Sequence, residues 1–494
     1  MQGVELDRRI THSALWSTGS ALFVQALRFA LFVLLARLVS PSEFGVVALA
    51  LLMVDLLQTM ATTGMADALV QKQDLTEEQA DTVFWTNLGL GLGAASVVFL
   101  AAGLLADAFR APVLEPVLQA LSVSLVIWPL GAMHTARISR ELGFKALAIR
   151  NIASNLLGGG VGIALALAGA GVWALVARSL VALIAVVVFA WFAHPWRPKF
   201  RFDRHGAPAL LRTGGRLMGA QVVSQLGGRG MELVAGALLN PAAVGILRVG
   251  GQCVDLLMQL AVAPFYQIAL PAMARGVRDG RLDAQVFSRV SRLSATLIYP
   301  AFFGAMVVAP DLLPALFGVR YAAAAPVLSL LCLLALPLHL NVLLTPALTS
   351  VGRTAHVLAW SVLGAALSLA LAALGTRWGL MGLVSLVVGR MYLMLPLAFL
   401  WLKRHVGISP WLIIASVKAP MAAAIGSAAV AYLVSRAMPG SGALVARLAG
   451  AVSAGVLAYV VLLLSLDRGF LRDLKSWRQA SQGDQAPPID RSTS

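Results

Sequence analysis

The sequence predicts an all-α polytopic membrane protein of about fourteen transmembrane helices: two parallel-repeat six-helix lobes plus two C-terminal helices. Three observations carry this. The chain of 494 residues is 59% hydrophobic and 12% charged, against roughly a quarter charged in soluble domains. Its apolar runs have helical length and no period-two alternation, so helices rather than a barrel satisfy the backbone in lipid. The stretch 19–57 also returns at 219–257. Gly19, Gln25, Leu38, Pro41 and Gly45 match Gly219, Gln225, Leu238, Pro241 and Gly245, and Val54-Asp55-Leu56-Leu57 returns as Val254-Asp255-Leu256-Leu257. Apolar matches are cheap in such a chain; a Pro, a Gly and an Asp in register are not. Duplicated membrane halves mark transporters, with the substrate site between the halves.

The first apolar run, near 13–38, is too long for a signal-peptide core, and no small-residue cleavage site follows it. It reads as span one behind a cytoplasmic N-terminus, 1–12. Spans two to six lie near 43–69, 83–106, 113–134, 151–169 and 171–193, closing a first lobe at 13–193. A basic linker, 194–213, leads to the second lobe, 214–402. Its spans fall near 214–238, 242–271, 293–316, 322–347, 355–375 and 378–402. The last two lie near 411–436 and 443–466. Ser40-Pro41 and Asn240-Pro241 sit at turns where proline ends one helix or starts the next. In the tail, 467–494, Leu466, Phe470, Leu471, Leu474 and Trp477 can share a helical face bordered by Arg468, Arg472, Lys475 and Arg478. That suits an amphipathic helix on the inner leaflet or a simple positive flank, followed by a disordered end.

Lys and Arg crowd one set of connections, including Arg8, Arg9, Lys72, Arg137, Arg140, Arg197, Lys199, Arg275, Arg289, Arg292 and Arg353. The opposite set holds only Arg110, Arg320, Arg377 and Arg436. The asymmetry places both termini in the cytoplasm. The net charge of +16 then reports topology and contact with anionic membrane lipid, not nucleic acid. Six spans separate the repeat units, so both lobes enter the membrane in the same direction.

Charges at membrane depth bear on function, because each costs a few kcal/mol or more and usually faces a bundle interior or a water-filled cavity. Substrate-binding candidates are Arg28 with Gln25 one turn before it, Arg178, Arg229, Arg248 and Arg390. Lobe-interface or coupling candidates are Asp55, Asp255 and Glu232. Cations outnumber acids, and buried guanidinium in excess calls for an anion such as phosphate, which it grips with two parallel hydrogen bonds. Plainer readings stand beside these. Arg28 could belong to a structural ion pair, Arg229 and Glu232 are three apart and could pair with each other, and Arg178 and Arg390 could snorkel. Arg216, Asp67, Lys418 and Arg447 read as topology charges, His134 and His339 as satisfied bundle histidines, and the glycines 158–160 and 162 as packing sites.

Cys253 and Cys332 lie in apolar segments and imply neither a disulfide framework nor a metal site. No phosphate-loop or H-E-x-x-H motif occurs. No cofactor is expected; coupling to a proton or sodium gradient stays open. External connections are too short to hold the catalytic carboxylate and Arg of a membrane polymerase or ligase.

Three stretches resemble the polysaccharide-transport branch of the multidrug/oligosaccharidyl-lipid/polysaccharide exporter superfamily: LLARLVSPSEFGVVALALL (34–52), GMADALVQKQDLTEEQADTVFWTNLGLG (64–91) and RISRELGFKALAIRNIASNLLGGGVGIALALAGAGVWALV (137–176). The second lobe keeps the pattern in LLNPAAVGILRVG and at Pro271. The resemblance implies a non-enzymatic flippase for polyprenyl-pyrophosphate-linked oligosaccharide, supplying exopolysaccharide or lipopolysaccharide synthesis with other polysaccharide assembly proteins. Arg28, Arg229 and Arg248 would bind pyrophosphate or acidic sugar in an inward-facing cavity, and the two extra helices would form a groove for the lipid tail. A drug or ion antiporter of the same superfamily is the alternative; it would export cations and keep more acids at depth. A polymerase or ligase is the other.

Overall fold

The structure is a computed structural model that describes residues 23–62, 76–141, 143–201, 221, 225–278, 281–438 and 444–467. Apart from a two-residue antiparallel hairpin, Val277–Arg278 with Arg281–Leu282, the described elements are helical. Contacts divide the chain into two compact units. The first comprises Met1–Val249, Leu316–Ala324 and Ser361–Val387, and the second comprises Gly250–Ala315, Ala325–Trp360 and Val388–Ser494.

The first unit carries α1 (23–38), α2 (Pro41–Thr62), α3 (Glu77–Ala108), α4 (Leu114–Arg140), α5 (Phe144–Leu167), α6 (Val172–Ala193), α7 (225–238) and the start of α8 (Pro241–Leu257). The two sequence repeats start a helix by the same device. Ser40 caps α2: its hydroxyl accepts from the Glu43 N–H at 3.3 Å, while the Glu43 carboxylate takes the Ser40 N–H at 3.0 Å. This is a capping box with Pro41 at the first helical position. Asn240 caps α8 by accepting from the Ala243 N–H at 2.8 Å, again with a proline, Pro241, next. One turn in, Gly45 and Gly245 make reciprocal contacts. A Cβ at Gly45 would land on the Pro241 carbonyl, and one at Gly245 on the Pro41 carbonyl. Only glycine permits this approach. Equivalent positions of the two repeats thus meet each other, the exchange expected about a local two-fold axis.

Around α1 the unit is closed by the piece 316–324. Phe32 packs edge-on against Phe44 at 5.2 Å and Phe317 at 5.8 Å. Arg37 donates from Nε to the Leu316 carbonyl at 2.6 Å, and the Tyr321 hydroxyl donates to the Val39 carbonyl at 3.3 Å.

The second unit carries the rest of α8, a π turn at Met258–Val262, α9 (Ala263–Arg275), most of α10 (Ala284–Phe317), α11 (Ala324–Cys332) and α12 (Ala335–Ser350). It also takes the ends of α13 (Thr354–Gly375) and α14 (Gly379–Leu393), then α15 (Leu395–Trp401), α16 (Pro410–Ala437) and α17 (Leu444–Leu466). Its core joins Met273, Phe287, Leu343, Leu344, Leu402 and Ile408. The chain bends 46° between α11 and α12, and the Leu333 carbonyl freed there accepts from the Tyr392 hydroxyl. The α16–α17 hairpin is fastened to α10. Arg447 pairs with Asp311, Ser435 donates to the same carboxylate at 3.0 Å, and the Tyr459 hydroxyl donates to the Thr296 carbonyl at 2.7 Å.

Among the described residues nine helical stretches are long and apolar enough to cross a membrane, and the bent α11–α12 pair makes ten. The protein is therefore a multi-pass membrane protein. One of the nine, Thr354–Val406, has 53 residues, roughly 80 Å of helix against a core of about 30 Å. It reverses at Gly375, whose missing side chain lets Gly382 and Leu383 fold back against it. The count of fourteen is not fixed by this set. Span one and span seven begin outside the described residues, and Arg150, Asn151 and Asn155 dilute the hydropathy of α5. Several helices outrun the apolar runs that announced them. The α3 helix starts at Glu77 behind Thr76, whose hydroxyl accepts from the Gln79 N–H at 3.3 Å, with Glu77 and Glu78 in its first turn. The α4 helix runs on to Arg140.

Candidate functional site

The α5 glycines build the first cluster. A Cβ at Gly158 would sit 2.6 Å from the Arg178 carbonyl, and one at Gly162 would sit 2.8 Å from the Arg178 Cβ. Small residues four apart therefore let α5 lie directly on α6. Between them Gly159 faces Leu31 of α1, whose nearest methyl lies 2.5 Å from where a Cβ on the glycine would be. The α5 helix thus draws α1 and α6 together. Arg28, one turn before Leu31, is exposed, and Arg178 is half-buried. Both arginines sit on helices that pack against this glycine run. Neither makes a hydrogen bond or an ion pair among the described residues. Gln25, a further turn along α1, is half-buried on the same stripe.

The second cluster is neutralised. Gln225, Arg229 and Glu232 recur at helical spacing along one face of α7. Arg229 donates to the Asp55 carboxylate of α2 at 3.0 Å. Arg248 of α8 donates to the Glu232 carboxylate at 3.4 Å, and this pair is the more buried: the Glu232 side chain is 14% exposed, that of Asp55 43%. Gln225 donates to the Thr59 hydroxyl, which itself donates to the Asp55 carbonyl at 2.8 Å. The pairing of Arg229 with Glu232 that their spacing allowed does not form. Each takes its partner from a different helix, because helix packing brings a carboxylate and a second guanidinium within reach. Gln225 and Thr59 escaped the sequence reading. The signal was there: Gln225 is the repeat equivalent of Gln25, and Thr59 lies one turn after Asp55.

The remaining candidates belong to the second unit. Asp255 is exposed in the last turn of α8. Arg390 points its guanidinium at two sulfurs, Met391 at 3.0 Å and Met394 at 3.7 Å. Arg447, read from sequence as a topology charge, is instead the partner of Asp311 and ties α17 to α10. Lys418 is exposed on α16, while Arg216 and Asp67 lie outside the described residues, as does the tail from 468. His339 is structural: Nε2 donates to the Ser291 carbonyl at 3.0 Å and Nδ1 accepts from the Tyr299 hydroxyl at 3.2 Å. His134, in the first unit, donates to the Trp196 carbonyl at 3.0 Å and stacks on Trp191.

The start of the inter-lobe linker is also more than a run of charge. Trp196 donates to the Glu77 carboxylate at 2.9 Å, and the same carboxylate pairs with Arg137 at 2.9 Å. The Lys199 N–H donates to Asp81 at 3.1 Å, and Phe200 stacks on Trp85 at 4.4 Å. Residues 194–200 are thereby sewn to α3 and α4.

Comparison with known proteins agrees with this architecture. The succinoglycan biosynthesis transport protein ExoT of Rhizobium meliloti is 26% identical over 97% of this chain and 98% of its own. The lipid II flippase MurJ in an inward closed conformation superposes with a TM-score of 0.74 at 12% identity, over 92% of this chain and 100% of its own. An inward-facing multidrug resistance MATE family transporter of the MOP superfamily superposes with a TM-score of 0.60 at 14% identity, over 80% of this chain and 96% of its own. At such identities the two structures establish the shared fold. The family described as polysaccharide biosynthesis protein matches residues 34–326, more than half of the chain, and to that family the chain belongs.

Proposed function

We propose that the protein is a flippase carrying a polyprenyl-pyrophosphate-linked oligosaccharide from the inner to the outer leaflet of the cytoplasmic membrane, with both termini in the cytoplasm. The observation that carries this reading is Arg28 beside Arg178 with no carboxylate between them among the described residues. Two guanidiniums on neighbouring helices in a membrane-spanning segment, without a carboxylate beside them among the described residues, favour an anion that both can reach. A pyrophosphate supplies two phosphate groups, each able to accept a bidentate guanidinium. The polyprenyl tail remains in lipid while the saccharide crosses.

The names of ExoT and MurJ support the same assignment, since one is a transport protein of polysaccharide biosynthesis and the other a lipid flippase. An antiporter for cations fits less well. Two acids of the first unit, Asp55 and Glu232, are already engaged by Arg229 and Arg248. Movement would come from rocking of the two sequence repeats, with the Asp55–Arg229 pair breaking or forming as they part.

The test is direct. Purified protein in proteoliposomes loaded with a fluorescent polyprenyl-pyrophosphate oligosaccharide should equalise the label between leaflets, read by a membrane-impermeant quencher. Arg28→Ala and Arg178→Ala should each slow the exchange. Equal rates in empty liposomes and wild-type proteoliposomes would refute the assignment.

A further inference from the structure

The second unit contains a cavity of about 900 Å³ that the transport reading leaves unused. One wall is α9, which contributes Pro264, Phe265 and Ile268; the other is the first half of α10. Along α10 the lining changes character in order. Asp283, Gln285, Ser288, Arg289 and Arg292 come first, then Leu293, Thr296 and Leu297. From Arg289 to Leu297 the helix rises about 12 Å, so a polar end grades into an apolar one over that length.

The polar groups are not equally available. The Asp283 carboxylate caps α10 by accepting from the Gln285 N–H at 2.7 Å. The Ser288 hydroxyl shares a hydrogen bond with Ser416 at 2.7 Å, and Arg292 lies 3.6 Å from Asp467. Arg289 is exposed and makes no hydrogen bond or ion pair among the described residues. At the apolar end Ile268 and Leu297 are 42% and 44% exposed, so that end opens outward from the unit.

We propose that this cavity seats one glycerophospholipid of the bilayer, its phosphodiester on Arg289 and an acyl chain along Phe265, Ile268, Leu293 and Leu297. A cation at one end and an apolar trough behind it match the two parts of that molecule in the order a bilayer presents them. The volume exceeds what a phosphate group fills and accommodates a length of hydrocarbon as well. The lipid is a resident ligand, distinct from the transported one, and its site does not depend on the substrate assignment.

The test uses full-length protein stripped of lipid in detergent, with melting temperature as the readout. Dioleoyl phosphatidylglycerol and dioleoyl phosphatidylethanolamine should both raise it in wild type. Dioleoylglycerol, with the same chains and no phosphate, should not, and neither should inorganic phosphate. Arg289→Gln should need roughly tenfold more lipid for the same rise, the loss of one charge-assisted contact. Ile268→Trp, which fills the apolar end from an exposed position, should abolish the response while leaving the lipid-free melting temperature unchanged. Leu297→Trp is the second variant if the first does not fold. A response to dioleoylglycerol equal to that of the phospholipids overturns the proposal, as does stabilisation by inorganic phosphate alone. So does a wild-type response in Arg289→Gln or in the filled variants, or stabilisation by polyprenyl phosphate but by neither glycerophospholipid.

Discussion

Among the described residues Arg28 and Arg178 have no carboxylate partner where α1 and α6 pack on α5, while Arg229 and Arg248, in the same unit, are each matched to a carboxylate of another helix. The residue type is the same; the difference lies in what surrounds each group. A paired guanidinium has spent its donors on the fold, and moving it would strand a carboxylate. An unpaired one at depth is expensive unless a ligand completes it. Under the proposed function the contrast separates arginines that hold the helices from arginines that would bind an anion, a division that charge counting along the sequence does not make.

Reversing a charge on the unpaired side should have the largest effect. Arg28→Glu should satisfy Arg178 internally and lower exchange in proteoliposomes on the order of 100-fold, with the melting temperature unchanged or raised. Arg178→Ala should cost roughly 10- to 100-fold in exchange, and Arg28→Lys about tenfold, since an ammonium keeps the charge but loses the two-pronged grip. On the paired side stability should move instead. Glu232→Ala leaves Arg248 without that carboxylate in a partly buried site and should destabilise by ~3 kcal/mol, with Arg248→Leu in the same chain restoring most of it. The Asp55–Arg229 pair is more open, so Asp55→Ala should cost no more than ~1 kcal/mol in a thermal melt. If Glu232→Ala left stability intact and abolished exchange, the division would be wrong.

What was readable in the sequence follows the range of the interactions concerned. The repeat was legible through Pro41, Gly45, Pro241 and Gly245, because backbone constraints of that kind stay attached to particular residues. The same residues turned out to contact one another across the repeats. Helix lengths were read short at α3 and α4, since hydropathy sees the lipid-facing stretch and not the capped polar turns beyond it. Ion-pair partners were not legible at all. Spacing along α7 allowed Arg229 to pair with Glu232, and nothing local says that α2 and α8 bring other charges closer. Gly158, Gly159 and Gly162 were recognised as packing positions, but that they set Arg178 beside Arg28 is a fact of three helices together. The linker was read only for its charge, while Trp196 and Phe200 do the anchoring.

The most direct measurement is made in cells. The gene is deleted, and the leaflet in which lipid-linked oligosaccharide accumulates is determined, with complementation by wild type, Arg28→Ala and Arg178→Ala. The account predicts units facing the cytoplasm, relieved by wild type and by neither variant at equal expression. Units accumulating on the outer face, or full relief by both variants, would contradict it.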